Sequence, residues 1–191
     1  MKKLSIITLI ALVAAVSLRA DIIPSFAFTT PGPGTSTVWS YSINITSDQQ
    51  VTTGDFFTIY DFGPFIAGSN VQPTGWTFSS SLSAPPPPNT NPPNNPTLAD
   101  LTWTYTGATP ISTGTHLGPF SITQPTSSFQ EAPSTRNGYF AALATRNDGS
   151  NTKISNVGNV PVPVPIPEPT TLSLLAFAGI GSALRAIRRR K

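Results

Sequence analysis

The stretch VWSYSINIT, residues 38–46, decides how the body of this chain is built. Trp39, Tyr41, Ile43 and Ile45 alternate with Ser40, Ser42 and Asn44. Successive side chains of a strand point to opposite faces, so this alternation is a half-buried β-strand with one apolar face. LTWTYT at 101–106 repeats the pattern, and WTFS at 76–79 repeats it more briefly. DFFTIYDF at 55–62 is apolar on both faces, which predicts a central strand. FSIT at 120–123, GYFAALAT at 138–145 and the segment 153–160 are further strands by their β-branched and aromatic content.

Turn chemistry separates these runs. PGPG at 31–34, TGD at 53–55, GP at 63–64, GSN at 68–70, Gly107, GP at 118–119, RNG at 136–138 and NDG at 147–149 all fit turns or loops. No part of the body carries apolar residues at helical spacing over three turns. The expected body is therefore an all-β, antiparallel β-sandwich over 21–160, with a partly open barrel as the second choice. PPPPNTNPPNNP, residues 85–96, cannot be a central strand, because proline donates no ladder hydrogen bond. It reads as a solvent-exposed loop of polyproline II character.

The two ends differ from the body. Lys2 and Lys3 precede an almost unbroken apolar run at 4–16, and Ala20 stands before Asp21. That order is a secretory signal peptide over 1–20, cleaved between Ala20 and Asp21. At the other end, PVPVPIPEP at 161–169 is an extended linker reaching about 30 Å at about 3.1 Å per residue. An apolar segment at 170–187 follows, read as a single transmembrane helix. Arg185, Arg188, Arg189, Arg190 and Lys191 then form a basic tail over 185–191, which stays on the cytoplasmic side and stops transfer. Gly179 and Ala183 read as small residues tolerated in lipid.

Charge follows the same division. The chain carries a formal +3, but the basic residues crowd into the two ends. Between 21 and 160 only Arg136, Arg146 and Lys153 are basic, against seven acidic side chains, which leaves the body at −4. A body so charged has no basic patch with which to release counterions from a phosphate backbone, so nucleic acid is not the expected partner. The chain has no cysteine, which removes thiol nucleophiles, thiolate metal sites and disulfides.

Chemistry-bearing residues are sparse. His116 is the only histidine, in a turn-like GTHLG setting without a nucleophile elbow. Asp55 and Asp61 fall on one face of their run but about 20 Å apart at about 3.3 Å per residue, too far for a glycosidase pair. Asn147, Asp148, Ser150 and Asn151 offer oxygens in one turn, read as an ordinary Asn-Asp-Gly turn before a calcium loop. No catalytic residue, metal site or cofactor is assigned. The three tryptophans, Trp39, Trp76 and Trp103, share the frame Trp-[Ser/Thr]-[Tyr/Phe]-[Ser/Thr]. They read first as core residues and second as an exposed platform stacking on sugar rings.

Pro167-Glu168-Pro169, followed by an apolar helix and an arginine cluster, resembles the PEP-CTERM sorting signal. The resemblance implies an exported protein of a Gram-negative bacterium whose tail is processed by a membrane exosortase. It also implies a link to exopolysaccharide or biofilm matrix. Tails of this family sometimes carry an ice-binding label, but the Thr102-x-Thr104 pattern forms no regular array. The stretches at 54–62 and 145–149 resemble a β-rich body found ahead of such tails, a type with no assigned activity. The expected function is thus a non-catalytic protein of the cell surface or extracellular matrix, membrane-anchored before processing. A carbohydrate-binding module is the alternative, and an extracellular hydrolase the third reading.

Overall fold

The computed structural model describes residues 22–112, 114–125 and 135–164. The leader with its Ala20–Asp21 junction, the sorting motif Pro167, Glu168 and Pro169, the apolar segment and the basic tail lie outside the described residues. Among those described, no helix is long and apolar enough to cross a membrane.

Among the described residues nine strands follow in chain order: β1 (Ile22–Pro31), β2 (Ser36–Ile45), β3 (Gln49–Gln50), β4 (Phe56–Ile59), β5 (Trp76–Ser81), β6 (Asp100–Tyr105), β7 (His116–Pro125), β8 (Thr135–Arg146) and β9 (Lys153–Pro163). They form two antiparallel sheets. The smaller runs β1-β2-β7. In the larger, β9 pairs with β8, β8 pairs also with β3 and β4, and the sheet continues through β6 to β5. The described residues are all-β and consistent with a β-sandwich, as the alternation predicts.

The two sheets bury a single aromatic interior. Trp39, Tyr41, Ile43 and Ile45 of β2 are fully buried, and so are Phe57 and Ile59 of β4 and Leu101 and Trp103 of β6. Phe57 stacks on Trp103 with ring centroids 5.2 Å apart. Phe120 crosses from the smaller sheet and meets Phe57 edge-on at 5.1 Å and Trp76 at 5.0 Å. Edge-to-face contact sets the positive ring edge on the negative ring face, which adds about 0.5–1.5 kcal/mol per pair beyond area burial.

Several sequence expectations change. β1 escapes the alternation test because a bulge between Phe26 and Phe28 shifts its register against β2 and resets the period. The central strand expected over 55–62 is only four residues long, since Asp61 takes φ of +56° and turns the chain out. Gly118-Pro119 and the segment 136–138, read as turns, lie inside β7 and β8. At 118–119 the β2–β7 register slips between Tyr41 and Ile43, so the turn residues mark a bulge. The linker expected from 161 begins later. Pro161, Val162 and Pro163 complete β9, opposite Asn137, Arg136 and Thr135. Proline is compatible there because among the described residues β9 pairs with β8 alone, and an edge strand has one side on which no donor is required.

Candidate functional site

The outer face of the larger sheet is where ordered loop, buried charge and hydroxyl groups meet. On β4, β5 and β6 the alternation that sends Phe57, Trp103 and Trp76 inward sends Phe56, Thr58, Thr102, Thr104, Thr77 and Ser79 outward. Thr58 and Thr102 lie opposite each other, and their hydroxyls hydrogen-bond at 2.8 Å. Across this face runs the proline-rich loop. Ala84 packs on Tyr60 and Ala141, all buried, with Tyr139 beside them. Pro87 and Pro92 are buried too. Most residues of 85–96 are exposed, as the composition predicts, and the loop covers this face of the sheet through Ala84, Pro87 and Pro92.

Two carboxylates hold it. Asp100 is fully buried at the start of β6. Its Oδ1 accepts the Asp61 N–H at 2.9 Å, and its Oδ2 accepts the Ala84 N–H at 2.9 Å and Asn94 Nδ2 at 2.8 Å. Asp61 Oδ1 in turn accepts the Asn95 N–H at 2.7 Å. Arg136 donates through Nη2 to the Asp61 carbonyl and through Nε to the Pro163 carbonyl. Buried carboxylates are costly unless their oxygens are satisfied, and here backbone amides do so. Tyr60 lies beside this cluster. Burial, and then the negative charge of Asp100, push its phenol up to about 12.

A third carboxylate fastens the opposite end of β4. Asp55 is fully buried. Its Oδ2 accepts the Thr52 N–H at 2.7 Å and Thr145 Oγ1 at 2.8 Å, and its Oδ1 accepts Lys153 Nζ at 2.6 Å. Lys153 also reaches Thr145 Oγ1 and Thr52 Oγ1. Three segments of chain, the turn at 52–55, β8 and β9, are thus joined at one ion pair. All three carboxylates were missed as ties in the sequence. The signal for two of them is present, since Asp61 and Asp100 bracket a run of 62–99 with no charged residue at all.

Two shallow grooves flank the cover. One lies between Pro85 and the hydroxyl face, lined by Phe56, Thr58, Thr102, Thr104 and Ser79. The other lies between Pro88, Asn89 and the β8–β9 face, lined by Leu143, Lys153 and Ser155. Both offer hydroxyls, methyls and prolyl rings.

The sequence-predicted candidates fall elsewhere. Trp39, Trp76 and Trp103 are 0%, 5% and 0% exposed, so they build the core and form no platform for sugar rings. Trp39 Nε1 donates to Gln124 Oε1 at 3.0 Å inside the sandwich. His116 is exposed on β7, opposite Asn44, in a shallow groove with Phe28 and Pro119. No hydrogen bond joins its ring to a described residue. The turn at 147–151 is an Asx-type turn, with Asp148 Oδ1 accepting the Ser150 N–H at 2.9 Å. The Ser150 hydroxyl and N–H, and then Arg146, hold the Asp148 carboxyl below its ordinary range. Among the described residues no group of three or more His, Cys, Asp or Glu side chains converges.

No family model and no curated protein matches this chain. Among solved structures it resembles the collagen-binding subdomain ACE19 of the Enterococcus faecalis surface protein ACE, at 8% identity and a TM-score of 0.36. The likeness covers 75% of this chain and 96% of that one.

Proposed function

We propose that this chain is an exported, non-catalytic protein of the cell surface or extracellular matrix. Its C-terminal Pro167-Glu168-Pro169 tail acts as a PEP-CTERM sorting signal read by an exosortase. The observation that supports a scaffold role is the use made of its buried carboxylates. Asp55 and Asp100 have both carboxylate oxygens engaged in bonds that join separate segments of chain, and Asp61 Oδ1 holds the Asn95 N–H. A general acid or base must instead keep a free oxygen facing a substrate. The ordered sequence of leader, proline linker, apolar segment and arginine cluster supports export and sorting. The test is the intact mass of the protein recovered from the surface and medium of its host. Sorting predicts a new C-terminus close to Pro167–Pro169. A chain still ending at Lys191 contradicts it.

A second reading, binding of a neutral matrix glycan, now rests on the groove beside Pro85 rather than on the tryptophans. Phe56 offers a half-buried ring there, and Thr58, Thr102 and Thr104 offer hydroxyls. Retention on a polysaccharide column that is lost in Phe56→Ala supports this reading. Equal elution of both proteins removes it.

A further inference from the structure

The edges of the two sheets are not treated alike. β9 carries Pro161 and Pro163 on its edge. β1 has Pro24, Pro31 and a bulge. The free side of β7 is covered by the chain at 66–71, where Ile66 N–H donates to the Thr123 carbonyl at 2.8 Å and Val71 exchanges hydrogen bonds with Ser121. These are the usual ways in which an edge strand is kept from pairing with another chain.

β5 has none of them. Among the described residues it pairs with β6 alone. Tyr105 directs its N–H to the Asp55 carbonyl and its carbonyl to the Gly54 N–H, both on the β4 side. Antiparallel pairing alternates, so the β6 groups that face β5 belong to Thr104, Thr102 and Asp100, opposite Thr77, Ser79 and Ser81. Phe78 and Ser80 therefore turn their N–H and carbonyl groups outward, where no described residue meets them. The strand has no proline, no bulge and no charge, and no charged residue occurs anywhere from 62 to 99. Apolar surface lies alongside. Phe65 packs edge-on against Phe78 at 6.0 Å, and Ile66, Val71 and Leu82 are 42%, 55% and 56% exposed.

We propose that β5 is a self-association edge and that its partner is β5 of a second copy of this chain. A two-fold axis at Ser79 sets Phe78 of each copy opposite Ser80 of the other. Each such pair exchanges both backbone hydrogen bonds, because these are the outward-facing residues. The uncharged flank opposes no like charges when it meets itself. The contact is isologous, and the other edges are blunted, so it closes as a dimer instead of growing into a fibre. On a surface or in a matrix, such a dimer joins two tails.

Sedimentation velocity of the full chain in density-matched detergent tests this, with Ser80→Lys and Ser80→Pro as variants. Both change an exposed position whose backbone groups face the free edge, and leave the ladder to β6 intact, which near-UV circular dichroism checks. The proposal predicts a wild-type dimer that dissociates on dilution, and weakening by about tenfold or more in Ser80→Lys from two like charges at the seam. Ser80→Pro, which lacks the outward donor, weakens the dimer as well. A wild-type chain that is monomeric throughout overturns the proposal. So does a dimer that persists unchanged in both variants, since another surface or the tail then holds it. If Ser80→Pro alone loses its native spectrum, Ser80→Lys decides.

Discussion

The space between the sheets and the space under the proline-rich loop are fastened in different ways. Between the sheets, Trp76, Trp103, Phe57 and Phe120 pack ring against ring, and Trp39 meets Phe62 edge-on. Under the loop, a thin apolar contact of Ala84 with Tyr60 and Ala141 is supplemented by Asp61 and Asp100, whose oxygens hold backbone amides. The first fastening is non-directional and grows with area. The second is directional and depends on a few atoms, so it is the one a single substitution releases locally.

The largest effect is expected in the interior. Trp103→Ala removes a fully buried ring stacked on Phe57, and large-to-small changes of this kind cost about 3–5 kcal/mol. Urea denaturation followed by far-UV circular dichroism measures it. A loss near zero would mean that the ring is not core. The same placement predicts blue-shifted tryptophan emission that iodide barely quenches, and no shift on adding polysaccharide.

Next comes the cover. Asp100→Ala leaves the N–H groups of Asp61 and Ala84 and the amide of Asn94 without their acceptor. Unsatisfied buried donors cost about 1–3 kcal/mol each, less what the loop recovers by opening to water. Limited proteolysis should cut within 82–98 well before the sheets, whereas the parent chain resists there.

Alkaline pH separates the two regions through one group. The Tyr60 phenol is raised from its ordinary value of about 10 to about 12, first by burial and then by Asp100. The folded chain thus keeps a proton that the unfolded chain gives up. The stability this contributes is complete below about pH 10 and is lost as pH rises from about 10 to about 12. Tyr60→Phe should flatten that part of the decline. An unchanged pH profile in urea midpoints would place the alkaline loss elsewhere, for example at Tyr41, whose phenol burial also pushes up.

The smallest effect belongs to the loop's outer side. Pro86 is exposed, and Pro86→Ser should move stability by no more than about 0.5 kcal/mol. A larger loss would mean that the cover is held by its prolines rather than by its carboxylates.

This contrast also explains what could be read from the chain. The strands that build the interior announce themselves, because period-two alternation is imposed by the pleat and repeated at Trp39, Trp76 and Trp103. β1 does not, since its bulge at Phe26/Phe28 shifts the alternation midway. The end of β9 is hidden by Pro161 and Pro163, which look like linker until an edge position is known. The cover is the least legible part. Its composition says loop, but which of its amides Asp61 and Asp100 hold is set by the fold and not by spacing. The outward hydroxyl face and the bare edge of β5 follow from strand order, which one sequence does not disclose.

The most direct test of these carboxylates as fastenings is native-state hydrogen exchange on the parent chain and on Asp100→Ala. The account predicts that the amides of Asp61, Ala84 and Asn95 accelerate by at least about tenfold more than those of Trp39 and Trp103, as a cover that opens by itself requires. Equal acceleration of all five would contradict it, because cover and interior would then be one cooperative unit.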